Sequence, residues 1–405
     1  MKKSIVIIGA GASGLCAAIE AAQAAANCTV TVFEKLPKAA KKITVTGNGR
    51  CNFANTDLSA KNFHGEHSFL ISILTSPYAD SDRFFRSLGV LPYYEDGRIY
   101  PRSQQAGAIR DALLRKTEEL GVKIITDSAV TKIEENGNSF RVNGIDADAV
   151  IIAGGGKAAP VHGTDGSAYA LLTKLGHGCS PLFPALSALS SKEKLLRGLK
   201  GVRARCDVSL FDGCELLGTE SGEVQFNDNS VSGIPVLDLS YLCRDRKGLH
   251  IELDLCPEYC TEELSCHIAD FKGNSPDAET EAMLGGMVNI KLGYAIMEKA
   301  AIAPHTPVGK LKSTEISSLL SVLKCFGLSI EKAKDFDCAQ ITEGGINANE
   351  FDPQTMMSKL KNGIFACGEI LDIHGKCGGY NLHLAWTEGR IAGAAAAEYI
   401  NKTEV

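Results

Sequence analysis

A run of β-branched apolar positions, followed by a glycine turn and an Ala-rich segment, opens the chain. Ile5-Val6-Ile7-Ile8 predicts a strand, and the Ala-rich segment from about Ser13 to Ala26 predicts a helix. Thr29 to Phe33 then reads as a second strand. A further helix is expected from Ser103, a capping residue, to about Leu120, with Gly121 closing it. Short strands near Val122–Thr126, Ala129–Glu134 and Ser139–Asn143 suggest a small meander, turning at Asn136-Gly137-Asn138. A strand over Ala149–Ala153 enters Gly154-Gly155-Gly156, and a helix follows Gly163-Thr164-Asp165-Gly166 as far as about Gly176. From about Ser187 the texture changes. Val202–Leu210, Glu215–Leu217, Glu223–Phe226 and Pro235–Leu239 predict short antiparallel strands, hence a barrel or sandwich. Pro257 to about Cys325 reads as mostly helical, and Ala339 to Thr342 as a strand returning to the barrel. Gly363 to Cys367 is expected to be a buried strand, followed by a helix from about Tyr380 to Ile400, whose Gly389 and Gly393 suit close packing on a sheet.

Glycines punctuate the first of these junctions with a particular spacing, Gly9-x-Gly11-x-x-Gly14. Between a strand and a helix this spacing marks a dinucleotide-binding βαβ unit. Gly9 makes the turn, Gly11 lets the backbone approach a pyrophosphate, and Gly14 lets helix and strand pack closely. The anion then rests on free N–H groups at a helix N-terminus. Glu34, at the end of the second strand and 25 residues after Gly9, can accept hydrogen bonds from both ribose hydroxyls of an adenosine. Lys41 to Asn52 (KKITVTGNGRCN) lacks sustained periodicity and reads as a loop able to line a phosphate or a flavin ring.

Composition narrows the function classes. A chain of 405 residues, 44% hydrophobic and 22% charged, can bury the core of a globular enzyme with two or three domains. A net charge of −6 gives no electrostatic reason for a nucleic-acid or anionic-membrane partner. No membrane-length apolar run and no signal-peptide pattern before the first strand lead to the expectation of a cytoplasmic protein. The 14 cysteines contain no CxxC pair, so reduced thiols are expected; Cys256, Cys260, Cys266 and His267 are spaced loosely for zinc, and no metal is expected.

Several ordered motifs, GAGASGLCAA, FEK, TGNGRCN, GRIYPRS, IAGGG, QITEGGI and FACGEILDIHGKCGGYN, resemble those of the YhiN/BaiN-like family of FAD-dependent oxidoreductases, related to aminoacetone oxidase-type flavoproteins. The resemblance runs over effectively the whole chain. It departs at Phe226 to Gly233 (FNDNSVSG), where many members carry a Thr-His pair. It implies an α/β fold: a doubly wound, Rossmann-like FAD-binding domain with an inserted β-barrel domain and a helical subdomain. The implied boundaries are 1–186 with 346–405, 187–256 with 326–345, and 257–325. Carried onto this chain, Gly9, Gly11, Ala12, Ser13 and Gly14 would hold the pyrophosphate, and Glu34 and Lys35 the adenosine ribose. Lys42, Thr46, Gly47, Gly49, Arg50, Cys51 and Asn52 would line the flavin side. Val130 would meet adenine through its backbone, with Ala153, Gly154 and Gly155 also in the cofactor site. Gly368 and Glu369 would hold pyrophosphate and ribityl, and Gly379, Tyr380, Asn381 and Leu382 the flavin pyrimidine edge. A helix starting near Tyr380 aims its positive end at that edge.

For catalysis, His374 is the candidate proton donor, and Tyr100 and Arg102 could reach a substrate carboxylate or carbonyl. His383 is expected to pack or contact the cofactor, and Cys51 to be a small buried contact or a redox thiol. One complete GxGxxG is present, so a separate NAD(P)H domain is not expected. FAD is the expected cofactor and NAD(P)H a transient donor. The resemblance points to reduction of a C=C or related bond in a hydrophobic small-molecule substrate. Two other expectations are an oxygen-using amine oxidase acting on an aminoacetone-like substrate and a non-catalytic flavin-binding sensor or RNA-associated protein. Oligomeric state is left open.

Overall fold

The computed structural model describes residues 3–25, 27–137 and 139–402. The chain divides into two compact units, Met1–Phe183 with Gln340–Val405, and Pro184–Ala339. Labelled elements of the first unit are β1 (Lys3–Ile8), α1 (Ala12–Ala24), β2 (Cys28–Phe33), α2 (Ala106–Glu119), β3 (Lys123–Ile125), β4 (Ala149–Ile152), β5 (Ile364–Ala366) and α3 (Tyr380–Lys402). The five strands form a parallel sheet in the order β5-β4-β1-β2-β3. Ile5, Val6, Ile7 and the whole of β4 are fully buried, as a parallel strand covered on both faces requires.

One helix pair dominates this unit. Gly389 and Gly393 put α3 directly on α1: a Cβ at either would collide with the carbonyl oxygens of Ser13 and Ala17. The expected close packing is therefore helix on helix, one turn apart, and not helix on sheet. Trp386 of α3 is fully buried and donates its indole N–H to the Phe53 carbonyl at 2.9 Å.

Several local expectations change. Ser103 does not cap α2: Gln104 takes a left-handed conformation (φ 57°) and delays the helix to Ala106, leaving Gln105 at the cap without a side-chain bond. Lys42–Gly49 is a kinked run of tight helical turns, and Gly47, Asn48, Gly49 and Cys51 have positive φ. The expected strand over Ala129–Glu134 is absent before Glu134. Asp127 and Ser128 instead donate their backbone N–H groups to the carbonyls of Leu36 and Glu34. The three-stranded meander is built from Glu134–Asn136, Ser139–Val142 and Ile145–Ala147, while β3 joins the parallel sheet. Ala26 and Asn138, expected to end a helix and to complete a turn, lie outside the described residues.

The second unit carries a seven-stranded antiparallel sheet. Its order is Phe326–Ser329, Leu249–Asp254, Arg203–Asp212, Glu215–Asn227, Ser230–Ser232, Leu189–Ser190 and Lys332–Ala333. Burial alternates along it, with Cys206, Val208 and Leu210 inward on one strand and Leu249, Ile251 and Leu253 on the next. The two outermost strands are separated in the chain only by Ile330 and Glu331, so the sheet curls strongly; among the described residues no ladder joins its two edges. Glu215–Asn227 is one strand where two were expected, with Gly218 and Gly222 inside it. Pro235–Leu239 is helical, because Pro235 sits in the first turn, where its missing N–H costs nothing. Helices Thr261–Asn274, Thr280–Gly285, Ile290–Lys299 and Ser313–Lys324 share one continuous apolar core with the sheet, through Leu264, Ile268, Leu284, Ile296, Leu319 and Leu323. Ile341–Glu343 stands outside the seven-stranded sheet and within the first unit. Among the described residues no helix is long and apolar enough to cross a membrane.

The α1–α3 contact makes a direct prediction. Gly393→Val should lower stability by about 1–3 kcal/mol through overpacking, read as a shifted urea midpoint. An unchanged midpoint would mean the helices are not in backbone contact.

Candidate functional site

The glycine turn is fixed by backbone bonds to the neighbouring strands. Gly9 donates to the Phe33 carbonyl at 2.8 Å and has a φ of 105°; a Cβ there would collide with the Ala153 carbonyl. Gly14 leaves room for the Gly9 carbonyl itself, while Gly11 faces open space, with no atom within 4 Å of where its Cβ would lie. No side chain caps α1 and its first turn holds no acid, so the first N–H groups of the helix are left to an anion. Glu34 is 9% exposed; its two carboxylate oxygens each accept one backbone N–H, from Ala10 and Leu36, at 2.9 Å. Each oxygen keeps a lone pair, the capacity a ribose diol needs. The Asp127 and Ser128 bonds to the Glu34–Leu36 turn bring Val130 to the same end. Lys35 turns away to Asp165 at 2.6 Å.

The remaining segments expected to line the site are tied to one another. Lys42 pairs with Glu369 at 2.8 Å, and Glu369 also accepts the Thr342 N–H and hydroxyl at 3.0 and 3.1 Å. The Thr342 hydroxyl in turn accepts the backbone N–H groups of Lys157 and Ala158, holding the loop after Ala153-Gly154-Gly155. Gly155 has a φ of 71° beside Thr164. Ser13 donates to the Cys367 carbonyl at 3.3 Å, and Gly368 (φ 83°) has no room for a Cβ beside the Ser13 hydroxyl. Gly379 packs so closely on Asn52 and Ala54 that a Cβ would lie 2.6 Å from Asn52 Oδ1, a buried oxygen with no hydrogen-bond partner. Asn381 spends its amide on Gly375 and Lys376 backbone groups, and Tyr380 packs edge-on against Phe63. Leu382 is half-buried on the same turn of α3. Thr46 donates to the Ile43 carbonyl at 2.7 Å. Arg50 is committed to Glu95 and Gln104 and lies 4.0 Å over the Tyr100 ring. An uncapped helix, open space over Gly11, a carboxylate with spare lone pairs and the orphaned Asn52 oxygen together fit an extended dinucleotide.

The HI0933-like protein Rossmann-domain model matches residues 3–395. This chain belongs to that family. The HI0933-like chain is 36% identical over 404 residues to the 3-dehydro-bile acid delta(4,6)-reductase of Clostridium scindens, across 97% of its own length and 99% of that protein. It is 25% identical to a ribosomal RNA dihydrouridine synthase of Haemophilus influenzae, across 94% and 95% of the two chains. Its fold is similar to that of the 3-ketosteroid delta1-dehydrogenase of Sterolibacterium denitrificans, with a TM-score of 0.53 at 14% identity, over 98% of this chain and 100% of that one. The matched region makes this family member an oxidoreductase with a Rossmann nucleotide-binding fold.

The candidate catalytic side chains differ in setting. His374 is 7% exposed and pairs in a two-stranded ladder with His64, the rings 4.9 Å apart. Burial, with the His64 charge adding to it, pushes its pKa down to about 3, so it is a neutral ring at pH 7 and not an imidazolium donor. Tyr100 is buried beneath Arg50, and burial raises its phenol pKa, so it keeps its proton. Arg102 is exposed, its guanidinium 5.8 Å from the Tyr93 ring centre, and is not gathered with the others. Cys51 is fully buried and its thiol is pushed up to about 12, which leaves no thiolate for redox chemistry. His383 bonds to the Ser81 hydroxyl at 3.1 Å and is held near 4 by burial.

The cysteines spaced for zinc do not converge; among the described residues the grouping that does is Glu279, Glu281 and His305, where His305 Nδ1 lies 3.1 Å from each carboxylate. Sequence reasoning gave no role to Thr342, although the QITEGGI motif contains it. It also gave no site role to Glu388, one of two acids on α3, whose carboxyl accepts the Gly368 N–H.

His374 and His383 predict an acid limb of stability. Their folded pKa values lie below the unfolded value of about 6.5, so the unfolded chain binds more protons below it. Stability should fall as pH drops from about 6.5 toward 4, by up to about 1.4 kcal/mol per pH unit for each ring. Urea titrations of wild type and His383→Gln across this range check it; parallel profiles would refute the assignment.

Proposed function

We propose that this chain is an FAD-dependent reductase that saturates a C=C bond conjugated to a carbonyl in a hydrophobic small molecule, with NAD(P)H as electron donor. The observation that carries this reading is the full-length likeness to the bile-acid delta(4,6)-reductase, supported by the uncapped start of α1 and the spare lone pairs of Glu34. The uncapped N-terminus of α1 would hold the pyrophosphate, Glu34 the ribose, and the Lys42–Glu369–Thr342 cluster would fix the loop beside the ribityl chain. Segments 46–52 and 379–382 would border the ring, with the positive end of α3 favouring negative charge on it. When bound, FAD supplies the hydride chemistry. The protein's own part is to orient, to exclude water and to hold protons: Tyr100 keeps its proton on Oη, and His374 offers a neutral ring.

A second substrate class has specific support. Dihydrouridine is uridine with its ring C=C saturated, so the synthase relative performs the same kind of reduction on RNA. The net charge of −6 and the lower identity favour the small molecule.

Mixed anaerobically with NADH or NADPH, the FAD-loaded protein should lose its oxidised flavin band and regain it on adding a conjugated steroid enone. Bleaching by neither nucleotide would overturn the donor assignment. Recovery with a uridine-containing RNA alone would move the substrate to nucleic acid. Glu34→Ala should weaken FAD binding by on the order of 1.5–3 kcal/mol. Gly11→Val, whose side chain enters open space, should fold normally yet bind no FAD; a yellow variant would refute the pyrophosphate site.

A further inference from the structure

Glu388 lies behind this cradle. It is 1% exposed on α3; Oε2 accepts the Gly368 N–H at 2.6 Å, and Oε1 is buried without any hydrogen-bond partner. Its next-door residue Gly389 touches the Ser13 carbonyl, and its partner Gly368 abuts the Ser13 hydroxyl, so the carboxyl bonds a residue that lies against the first turn of α1. Among the described residues no cation answers it. Arg390 is taken by Glu20 at 2.6 Å and by the Tyr78 carbonyl, Lys42 by Glu369, and Lys3 of β1 by Asp148. The titratable groups around it are thiols held protonated by burial, Cys16 on α1 and Cys367 after β5, with neutral His383 earlier on α3 and neutral His374 on the short strand that precedes the helix. Charged residues of the packed helix Ser81–Ser87, Asp82, Arg83 and Arg86, and His67 of His67–Leu74, lie toward solvent.

We propose that Glu388 is a positioning residue working as a neutral acid: it fixes the Gly368 N–H beside the α1 N-terminus, and its ionisation loosens the hold on FAD. This rests on the FAD reading above. An ionised carboxylate there would place an uncompensated buried charge beside a diphosphate and offset the helix dipole that attracts it. Burial already pushes the carboxyl up to about 8, so the switch falls within a measurable range. Binding is reciprocal, so bound FAD must in turn make Glu388 harder to ionise.

The test is the FAD dissociation constant of the full chain, measured by flavin fluorescence from pH 6 to 10 for wild type and Glu388→Gln. The wild-type constant should rise toward tenfold per pH unit above about pH 8. Glu388→Gln, neutral and near-isosteric, should stay flat and match wild type at pH 6. Flat wild-type binding, or the same rise in both proteins, overturns the proposal while leaving FAD binding intact. No FAD binding by wild type at any pH overturns the cofactor reading and the proposal with it. Should Glu388→Gln not fold, infrared titration of wild type gives the answer: the protonated carboxyl band should persist to higher pH with FAD than without, and an unshifted band refutes it.

Discussion

The contact of α3 with α1 governs the geometry of the first unit. Two glycines one turn apart bring the backbone of α3 against the carbonyls of Ser13 and Ala17, closer than any side chain would allow. That approach holds α1 from behind while its first N–H groups remain uncapped. It also sets Glu388 against the turn that follows β5, and Trp386 against Phe53, so one helix fixes segments far apart in the chain. The α1 N-terminus is thus rigid without being satisfied, the condition an anion site requires.

The polar residues around that terminus serve the fold and the site together. Glu34 accepts two backbone N–H groups and keeps lone pairs to spare. Thr342 joins the Gly156–Ala158 loop to Glu369, and Asn381 closes the loop before α3. Each polar contact narrows the positions a ligand group could take, because moving one partner leaves a buried group unpaired.

The parts of this arrangement that were legible in the sequence are those carried by local chemistry. The Gly9-x-Gly11-x-x-Gly14 spacing announced strand, turn and helix, and Glu34 announced the end of the second strand. Elements decided by distant partners were not. Ala129 to Ile133 has β propensity but forms no strand, and the residues just before it, Asp127 and Ser128, donate their N–H groups to the Leu36 and Glu34 carbonyls. Pro235–Leu239 reads as a strand by composition, yet Pro235 starts a helix. Arg50 belongs to a motif expected at the flavin, but Glu95 and Gln104 claim its guanidinium. Nothing local could reveal that Glu388 would be fully buried, since burial depends on the glycines that bring α1 against it.

The first unit is assembled from both ends of the chain, with 184–339 forming the other unit between them. During synthesis, β1, α1 and β2 leave the ribosome long before β5 and α3 exist, so the apolar face of α1 that α3 covers must wait for the last part of the chain. The intervening residues, with their own core, can fold in that interval. The nascent protein therefore carries its glycine turn early but unsupported, and the open end of α1 gains its backing only late in synthesis.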